Sequence, residues 1–197
     1  GLKDSLSTVS ELLFLGNINS PLVKIIRSFG DEVIITTQVI TPGYLDEHQV
    51  DFMVSYGCPH IIGEEVIKKM HGRAINLHIS YLPWNRGSDP ELWSVADDTP
   101  KGVTIHYLDQ GVDTGDIIVQ KGVVCSPEDT LGEYYDRLHG EIQELFKECW
   151  PSIKLGRAPG IKQVGEGSCH LSVDREKIVH LLTKGHDTLV KDLVLKN

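Results

Sequence analysis

The feature that most constrains the fold of this chain is a strand that runs directly into a loop. Residues 74–80 alternate apolar side chains with an amide, an imidazole and a hydroxyl, which is the pattern of a strand with two unlike faces. The apolar face carries Ile75, Leu77 and Ile79, and the polar face carries Asn76, His78 and Ser80. Because strands covered by helices on both sides are usually apolar throughout, the polar face requires hydrogen-bonding partners or a ligand.

Pro83 and Gly87 bound the loop that follows this strand, and the loop carries Trp84, Asn85 and Arg86. Open α/β sheets bind their ligands in loops at the carboxyl ends of strands. We therefore interpret the strand as the floor of an active site and the loop as its rim. The alternative interpretation is a buried polar network beneath an ordinary surface loop.

The remaining apolar runs predict alternating strands and helices. Strands are expected at residues 11–15, 33–35, 52–56, 102–108 and 117–124, and helices at 22–29, 63–70, 90–97 and 126–151. This order favours a doubly wound, mostly parallel α/β sheet with right-handed crossovers. The loop between the last two strands is short and rich in turn residues, so these strands are expected to pair antiparallel at one edge.

Local signals predict where two of the helices begin and where one ends. Ser20, followed by Pro21, is expected to cap the first helix. Ser126 is expected to cap the long helix, with Asp129 as its reciprocal partner. Pro151 is expected to end that helix, because proline lacks the N–H group that a helix interior requires.

The length of 197 residues suits one domain with a single core, placed at residues 1–153, followed by an extension over residues 154–197. Glycine and polar residues dominate the extension as far as Asp174, after which Ile178, Leu181 and Leu182 suggest a terminal helix. A segment this short cannot form its own core. It is expected to dock on the domain or on a second subunit, which leaves a homodimer open.

Composition argues against several classes of partner. The net charge is -9 and no run of Lys and Arg is present, so neither a nucleic acid nor a membrane surface is expected to bind. No stretch approaches the roughly 20 apolar residues that span a bilayer, and the N-terminus lacks the order of a signal peptide, so a cytoplasmic protein is expected. The 4 cysteines are dispersed, as reduced thiols would be, and the 9 histidines show no metal-ligand spacing, so no metal site is expected.

Three polar residues can meet if the sheet forms as predicted: Asn76 and His78 on the fourth strand, and Asp113 in the loop before the last strand. An imidazole suits proton transfer near neutral pH, and a neighbouring carboxylate would orient it. An amide can donate a hydrogen bond to an oxygen that gains negative charge. These groups suit the attack of an amine on a carbonyl. The spacing alone is weak evidence, because a His and an Asp some 35 positions apart in sequence meet by chance in many folds.

Residues 76–87, 102–106 and 111–118 closely resemble the formyltransferase family, which uses 10-formyltetrahydrofolate. The family includes glycinamide ribonucleotide transformylase, methionyl-tRNA formyltransferase and the sugar N-formyltransferases, and the resemblance extends over about residues 12–151. It implies a Rossmann-like formyltransferase fold with residues 1–153 as the catalytic domain. It also implies that Asn76, His78 and Asp113 are the family's catalytic triad.

The resemblance implies a folate pocket as well. The loop after the third strand resembles the family's pterin-binding loop, in which most contacts come from the backbone. A second segment, between the last two strands, would close the other side of the pocket. The expected folate-binding residues are Tyr56, Gly57, Cys58, Pro59, His60, Ile61 and Ile62 in the first segment, and Asp109 and Gly111 in the second.

Within the family, residues 81–87, the pair Trp93–Ser94 and residues 165–170 look most like sugar N-formyltransferases. This implies transfer of the formyl group to the amino group of a nucleotide-linked amino deoxysugar, as in polysaccharide biosynthesis. The loop offers an aromatic face and a guanidinium for a base and a pyrophosphate. The expected substrate-binding residues are Tyr81, Trp84, Asn85 and Arg86.

Other activities remain open at this point. The acceptor could be glycinamide ribonucleotide or methionyl-tRNA, or water in a 10-formyltetrahydrofolate hydrolase, or the chain could be a binding module without activity. The first turn lacks the glycine-serine phosphate loop of the purine enzyme, and nothing here corresponds to the tRNA-binding barrel of the methionyl-tRNA enzyme. Both absences favour the sugar acceptor.

Overall fold

The fold is described from a computed structural model, which describes residues 9–195 of the chain. These described residues form five α-helices, several short 3-10 helices and eight strands. The helices are α1 Pro21–Ser28, α2 Pro42–Glu47, α3 Glu64–Lys69, α4 Pro90–Ala96 and α5 Leu131–Lys154. The strands are β1 Leu12–Leu15, β2 Val33–Thr36, β3 Phe52–Ser55, β4 Ala74–His78, β5 Arg86–Gly87, β6 Gly102–Tyr107, β7 Ile117–Gly122 and β8 Cys169–His170.

Six of the strands form one sheet in the order β2-β1-β3-β4-β6-β7. The pairs among β1, β2, β3 and β4 are parallel, whereas β6 is antiparallel to both β4 and β7. The prediction of a mostly parallel α/β sheet with an antiparallel edge is therefore confirmed. In the β4–β6 pair, Asn76 lies opposite His106 and His78 lies opposite Thr104. Because side chains alternate along strands, these four groups share one face of the sheet.

The alternation in β4 separates two layers of core. Ile75 and Leu77 are buried in the larger cluster, beneath α1, α4 and α5. The smaller cluster, beneath α2 and α3, reaches β4 only at Ala74. Asn76 and His78 lie on the same face as Ala74 but farther along the strand, so they lie beyond that cluster and under the loops that follow the strands.

The predicted start of the first helix is confirmed. The predicted start of the long helix is wrong, because it lies four residues before the observed one. Ser20 Oγ accepts a hydrogen bond from the Leu22 N–H at 3.3 Å, as predicted. The long helix begins after Thr130, whose Oγ1 accepts from the Glu133 N–H at 3.1 Å. Ser126 instead belongs to a separate turn. Thr130 Oγ1 also donates to Glu133 Oε1 at 3.2 Å, so the two side chains support each other at this later position.

Pro151 does not end α5, which continues to Lys154. Trp150 and Ile153, on either side of the proline, are both buried in the main core. The Trp150 Nε1–H donates to Asp31 at 3.0 Å, and the Lys154 ammonium pairs with the same carboxylate at 2.9 Å. Burial and polar anchoring of this last turn therefore outweigh the cost of one missing helical hydrogen bond.

The extension forms 3-10 helices where a terminal α-helix was expected. They span Ser172–Lys177, Val179–Leu181, Gly185–Asp187 and Val190–Asp192. Within it, Ile178, Val190 and Leu193 are buried in the main core. The three-residue spacing of Ile178 and Leu181 suits a 3-10 turn as well as an α-helix, which is why the pattern misled. The boundary between domain and extension stays a prediction.

Residues 9–195 contain neither a membrane-spanning helix nor a metal-binding cluster. No helix there has the length and apolar character needed to cross a membrane. No group of three or more His, Cys, Asp or Glu side chains in that range is arranged to hold a metal ion. The cysteines Cys58, Cys125, Cys149 and Cys169 are all free thiols.

Candidate active site

Asn76, His78 and Asp113 lie together at the carboxyl end of β4. The Asn76 side-chain amide donates to Asp113 Oδ1 at 3.1 Å, and His78 Nδ1 lies 3.6 Å from Asp113 Oδ2. The Gly87 N–H donates to the same Oδ2 at 2.9 Å. Asp113 itself has a φ of 54°, a left-handed conformation that aspartate and asparagine tolerate better than most residues. The loop between β6 and β7 therefore turns its carboxylate back towards β4.

The hydrogen bonds of His78 assign its tautomer. Its Nε2 lies 2.8 Å from the backbone carbonyl oxygen of Asn85, which can only accept. Nε2 therefore carries the proton, and the neutral ring has its lone pair on Nδ1, the nitrogen that faces Asp113. The side chain is buried. This arrangement leaves Nδ1 as the atom of His78 that can take up a proton.

His106 is a fourth member of this polar cluster, and the sequence analysis assigned it no role in the site. Its Nδ1 donates to the Tyr107 carbonyl at 2.8 Å, and its Nε2 lies 3.3 Å from Asn76 Nδ2 and 3.4 Å from Asp113 Oδ1. The ring is buried. Pairing the fourth strand antiparallel with residues 102–107 would have revealed it, because His106 then lies opposite Asn76.

The electrostatics keep Asp113 ionised and His78 neutral. Burial lowers the pKa of His78, and the Asp113 carboxylate and the hydrogen bond to Asn85 only partly oppose this effect. Burial would raise the pKa of the Asp113 carboxyl, but His78, His106 and the Gly87 N–H together hold it well below its usual range. A neutral imidazole beside a carboxylate is the state that can accept a proton at neutral pH.

The predicted folate loop lies at the carboxyl end of β3, the strand next to β4. Among the described residues, no backbone–backbone hydrogen bond uses the N–H group of any residue in 57–62. Gly57 turns the chain with a φ of 66°. The exposed members of this loop are Gly57, Pro59, His60 and Ile61, and the half-buried ones are Cys58 and Ile62.

Tyr56 differs from the rest of that predicted set because it points away from the loop. Its ring is buried in the main core, and its hydroxyl contacts the His139 imidazole and accepts from Gln143 at 3.3 Å. Burial raises the pKa of this hydroxyl to about 12. The side chain of Tyr56 therefore packs the loop against α5, and only its backbone lies at the loop.

In the second predicted segment, the Asp109 carboxylate shapes the turn. It accepts from the Gly111 N–H at 3.0 Å and from the Thr114 hydroxyl at 2.6 Å. Gly111 is exposed, and a Cβ atom there would lie only 2.1 Å from Thr114 Oγ1. Asp109 and Gly111 thus fix the path of the chain that leads into Asp113.

The Asn85 side chain does not lie at the rim, where the sequence analysis expected it. Asn85 is fully buried, its Nδ2 donates to Thr99 Oγ1 at 2.7 Å, and its backbone N–H donates to Ser168 Oγ at 2.9 Å. Its amide is consumed in holding the loop in a left-handed conformation, with a φ of 57°. Tyr81 and Trp84 are half-buried at the rim, where the Tyr81 ring packs over Gly102.

Arg86 is anchored by the extension. Its Nε and Nη2 donate to Gln163 Oε1 at 3.1 and 2.6 Å, and its Nη1 lies 3.4 Å from the Glu166 carbonyl oxygen. The backbone of β5 pairs in parallel with β8, so the extension runs alongside the loop. Part of the guanidinium is therefore already committed within the protein. No local pattern around position 163 marks Gln163 as part of the site.

The neighbouring part of the extension is held by a stacked pair of rings. The His170 imidazole lies parallel to the Trp93 indole, with ring centres 3.9 Å apart, and its Nε2 lies 3.2 Å from an Asp97 oxygen. A Cβ atom at Gly167 would lie 2.0 Å from the Pro83 carbonyl oxygen, so glycine is required at this crossing. The extension thus closes directly over the loop.

The chain is similar in sequence and in fold to known formyltransferases. A family profile described as formyl transferase matches residues 40–149. The crystal structure of the formyltransferase PseJ from Anoxybacillus kamchatkensis, in complex with UDP-4,6-dideoxy-4-formamido-L-AltNAc and tetrahydrofolate, is 47% identical. Its TM-score is 0.89, and the match covers 93% of this chain and 97% of that one.

Curated relatives of two kinds also match. A dTDP-4-amino-4,6-dideoxyglucose formyltransferase from Mycobacterium bovis is 31% identical over 131 residues, covering 66% of this chain and 55% of the relative. A methionyl-tRNA formyltransferase from Agathobacter rectalis is 33% identical over 131 residues, covering 66% of this chain and 42% of the relative. The chain spans about half the length of these curated relatives. The family match, the fold and the clustered Asn, His and Asp side chains agree, and the chain belongs to the formyl transferase family.

Proposed function

We propose that this protein transfers the formyl group of 10-formyltetrahydrofolate to the amino group of a nucleotide-linked amino deoxysugar. The observation that carries the proposal is the buried cluster in which Asn76 and His78 both contact Asp113. The similarity to PseJ, whose crystal structure contains a UDP-linked 4-formamido sugar and tetrahydrofolate, supports the choice of donor and acceptor.

His78 supplies the proton transfer in this proposal. The unprotonated sugar amine attacks the formyl carbon, a C–N bond forms, and the bond from that carbon to folate nitrogen N10 breaks. The amine must lose a proton and N10 must gain one, so the reaction needs a group that can do both. His78 Nδ1 is suited to this step because its lone pair is free of the backbone and its burial keeps the ring neutral.

Asn76 and Asp113 act on the charges that develop. The formyl oxygen becomes negative as the amine adds, and the Asn76 side-chain amide can donate to it. One of the two contacts of that amide, at 3.3 Å from His106 Nε2, is longer than an ordinary hydrogen bond, so a substrate oxygen can compete with it. The Asp113 carboxylate stabilises the imidazolium that forms when His78 takes the proton.

The folate loop fits a flat heterocycle with several hydrogen-bonding edges. A pterin ring presents carbonyl, ring nitrogen and amino groups, and the backbone of residues 57–62 offers N–H groups that no other backbone group uses within the described chain. This loop and the triad follow adjacent strands, so a folate whose pterin ring is held there can present the formyl group on N10 to His78. Gly57 and Cys58 follow the end of β3 most closely among the residues of this loop.

The acceptor side is proposed at the rim formed by Trp84 and Arg86. Gln163 holds Nε and Nη2 of Arg86, but a guanidinium has five N–H groups, so others are left for a phosphate oxygen. The net charge of -9 weighs against tRNA, because binding a long polyanion requires many neutralised phosphates, whereas one pyrophosphate needs a few local donors. The homodimer and the cytoplasmic location stay predictions.

Formylation of defined acceptors tests the proposal. The protein is incubated with 10-formyltetrahydrofolate and a UDP-linked 4-amino-4,6-dideoxy sugar, its dTDP-linked counterpart, glycinamide ribonucleotide or methionyl-tRNA. Mass spectrometry should show a formyl group added to a nucleotide sugar, and His78→Ala should abolish it. Formylation of methionyl-tRNA or glycinamide ribonucleotide alone would refute the sugar acceptor, and release of formate without any formylated acceptor would indicate a hydrolase.

A further inference from the structure

The side chain of Gln163 makes four hydrogen bonds that join the two halves of the site. Its Nε2 donates to the backbone carbonyls of Asp113, at 2.8 Å, and Gly115, at 2.9 Å. Its Oε1 accepts from two nitrogens of the Arg86 guanidinium. Two carbonyls on one side and a guanidinium on the other allow only this orientation of the amide, because carbonyls cannot donate and guanidinium cannot accept.

Gln163 is held in place by its own chain neighbours. Ile161 forms a two-way backbone bridge with Ile117, the first residue of β7, with N–O distances of 2.7 and 2.9 Å. The chain around Ile161 therefore pairs antiparallel with the start of β7. Gln163, two residues later, reaches the Asp113 backbone. On the other side, Arg86 is fixed through β5 to β8. The amide thus spans two backbone segments that are each anchored independently.

The Asp113 backbone needs such support. Its left-handed conformation costs an aspartate free energy, and such a conformation persists only where several contacts impose it. Its carboxylate is held by the Gly87 N–H and by the Asn76 amide. Its carbonyl is held by Gln163. Without that last contact the peptide unit could rotate, and the carboxylate would lose its alignment with His78.

We propose that Gln163 is a positioning residue that locks the Asp113 loop against Arg86 and thereby sets the approach of the Asp113 carboxylate to His78. The role assigned to Asp113 in catalysis rests on the proposed function, whereas the positioning itself is a statement about the protein alone. The titratable groups that face His78 are the Asp113 carboxylate, from the β6–β7 loop, and the His106 imidazole, from β6. The Asn85 carbonyl completes its polar surroundings, and Gln163 adds no charge.

Two substitutions separate the two halves of the Gln163 amide. Gln163→Met removes both the Oε1 acceptor and the Nε2 donor without a change of charge. Gln163→Glu keeps an acceptor for Arg86 but cannot donate to the carbonyls of Asp113 and Gly115. The matched control is Val164→Met, which places the same new side chain at the adjacent position, where valine is 84% exposed.

The primary measurement is the pKa of His78 in the full chain, obtained from an NMR titration of its imidazole signals. These signals are assigned by their absence from the spectrum of His78→Gln. In Gln163→Met the carboxylate that favours the imidazolium moves away, so the His78 pKa should fall, by about 1 unit. Val164→Met should leave it unchanged. An unchanged His78 pKa in a folded Gln163→Met protein would overturn the proposal, whether or not the wild-type protein formylates any acceptor.

Steady-state kinetics on the acceptor found for the wild type give the second measurement. Both Gln163 variants should lower kcat, by about tenfold to a hundredfold, because misplacement of a catalytic group by about 1 Å has effects of this size. Only Gln163→Met should raise the KM for the nucleotide sugar, because it alone releases Arg86. A wild-type kcat in Gln163→Glu would refute the role of the two carbonyl contacts. If Gln163→Met does not fold, Gln163→Glu still decides through its kcat and its circular dichroism spectrum.

Discussion

Asp113→Asn is the substitution that most directly tests how the site controls its proton. It removes one negative charge 3.6 Å from His78 Nδ1. Asparagine tolerates the left-handed backbone at position 113 as well as aspartate does, and its amide oxygen can still accept from the Gly87 N–H. The backbone of the loop should therefore survive. The new Nδ2 group takes the place of Oδ1 and cannot accept from the Asn76 amide, so the variant loses that hydrogen bond together with the charge.

The size of the electrostatic effect follows from the distance. At 3.6 Å and an effective dielectric constant of about 20, a unit charge pair is worth about 4.6 kcal/mol, which is about 3 pKa units. The side chain of Asp113 is 13% exposed, so solvent reduces this figure. Loss of the carboxylate disfavours the imidazolium, so the pKa of His78 should fall by about 1 to 3 units from a value that burial has already lowered.

NMR titration of His78 measures the shift, and kcat for formyl transfer measures its consequence. The imidazole should become too weak a base for the amine proton, and kcat should fall about a hundredfold or more. Asp116→Asn is the matched control, since it makes the same charge change at an exposed position of the same loop. A His78 pKa in Asp113→Asn that equals or exceeds that of the wild type would refute the reasoning.

Three further predictions concern single side chains. Asn76→Ala should lower kcat about a hundredfold with little change in the KM for either substrate, and a kcat within threefold of wild type would contradict its role as oxyanion donor. Asn85→Ala should lower the free energy of unfolding, measured in urea, by about 1 to 3 kcal/mol, because Thr99 loses its partner and the left-handed backbone loses a favourable residue. A change in KM without that loss of stability would return Asn85 to the rim. Trp150→Phe should cost about 1 to 3 kcal/mol in the same assay, through the lost bond to Asp31 and a cavity in the core, and an unchanged unfolding midpoint would show that this anchor does not hold the end of α5.

The sequence was informative where function depends on local pattern. The alternation of residues 74–80 placed Asn76 and His78 on one face, and the glycine-rich turn before β7 placed Asp113 within reach of them. Strand periodicity is a property of a few neighbouring residues, so it can be read without the tertiary structure. The family resemblance then supplied roles that spacing alone could not assign.

The misses share a different cause, which is that contacts distant in sequence decided the outcome. Asn85 looked like a rim residue, but Thr99 and Ser168 bury it, and Ser168 lies 83 positions away. Pro151 looked like a helix end, but Asp31 anchors the turn that follows it. Nothing in the residues around Gln163 marks it as part of the site, because its significance comes from Asp113 and Arg86.

The closing of the loop by the extension has a consequence for the order in which the protein is made. Gln163 lies 50 positions after Asp113, and chains are synthesised from the N-terminal end at about 5 to 20 residues per second. The residues of the triad therefore leave the ribosome roughly 2 to 10 seconds before the segment that locks them. During that interval the growing chain has Asn76, His78 and Asp113 but not Gln163. Asn85 likewise lacks its partner Ser168. A ribosome that stalls within this window would hold a nascent chain with all three triad residues and an unlocked Asp113.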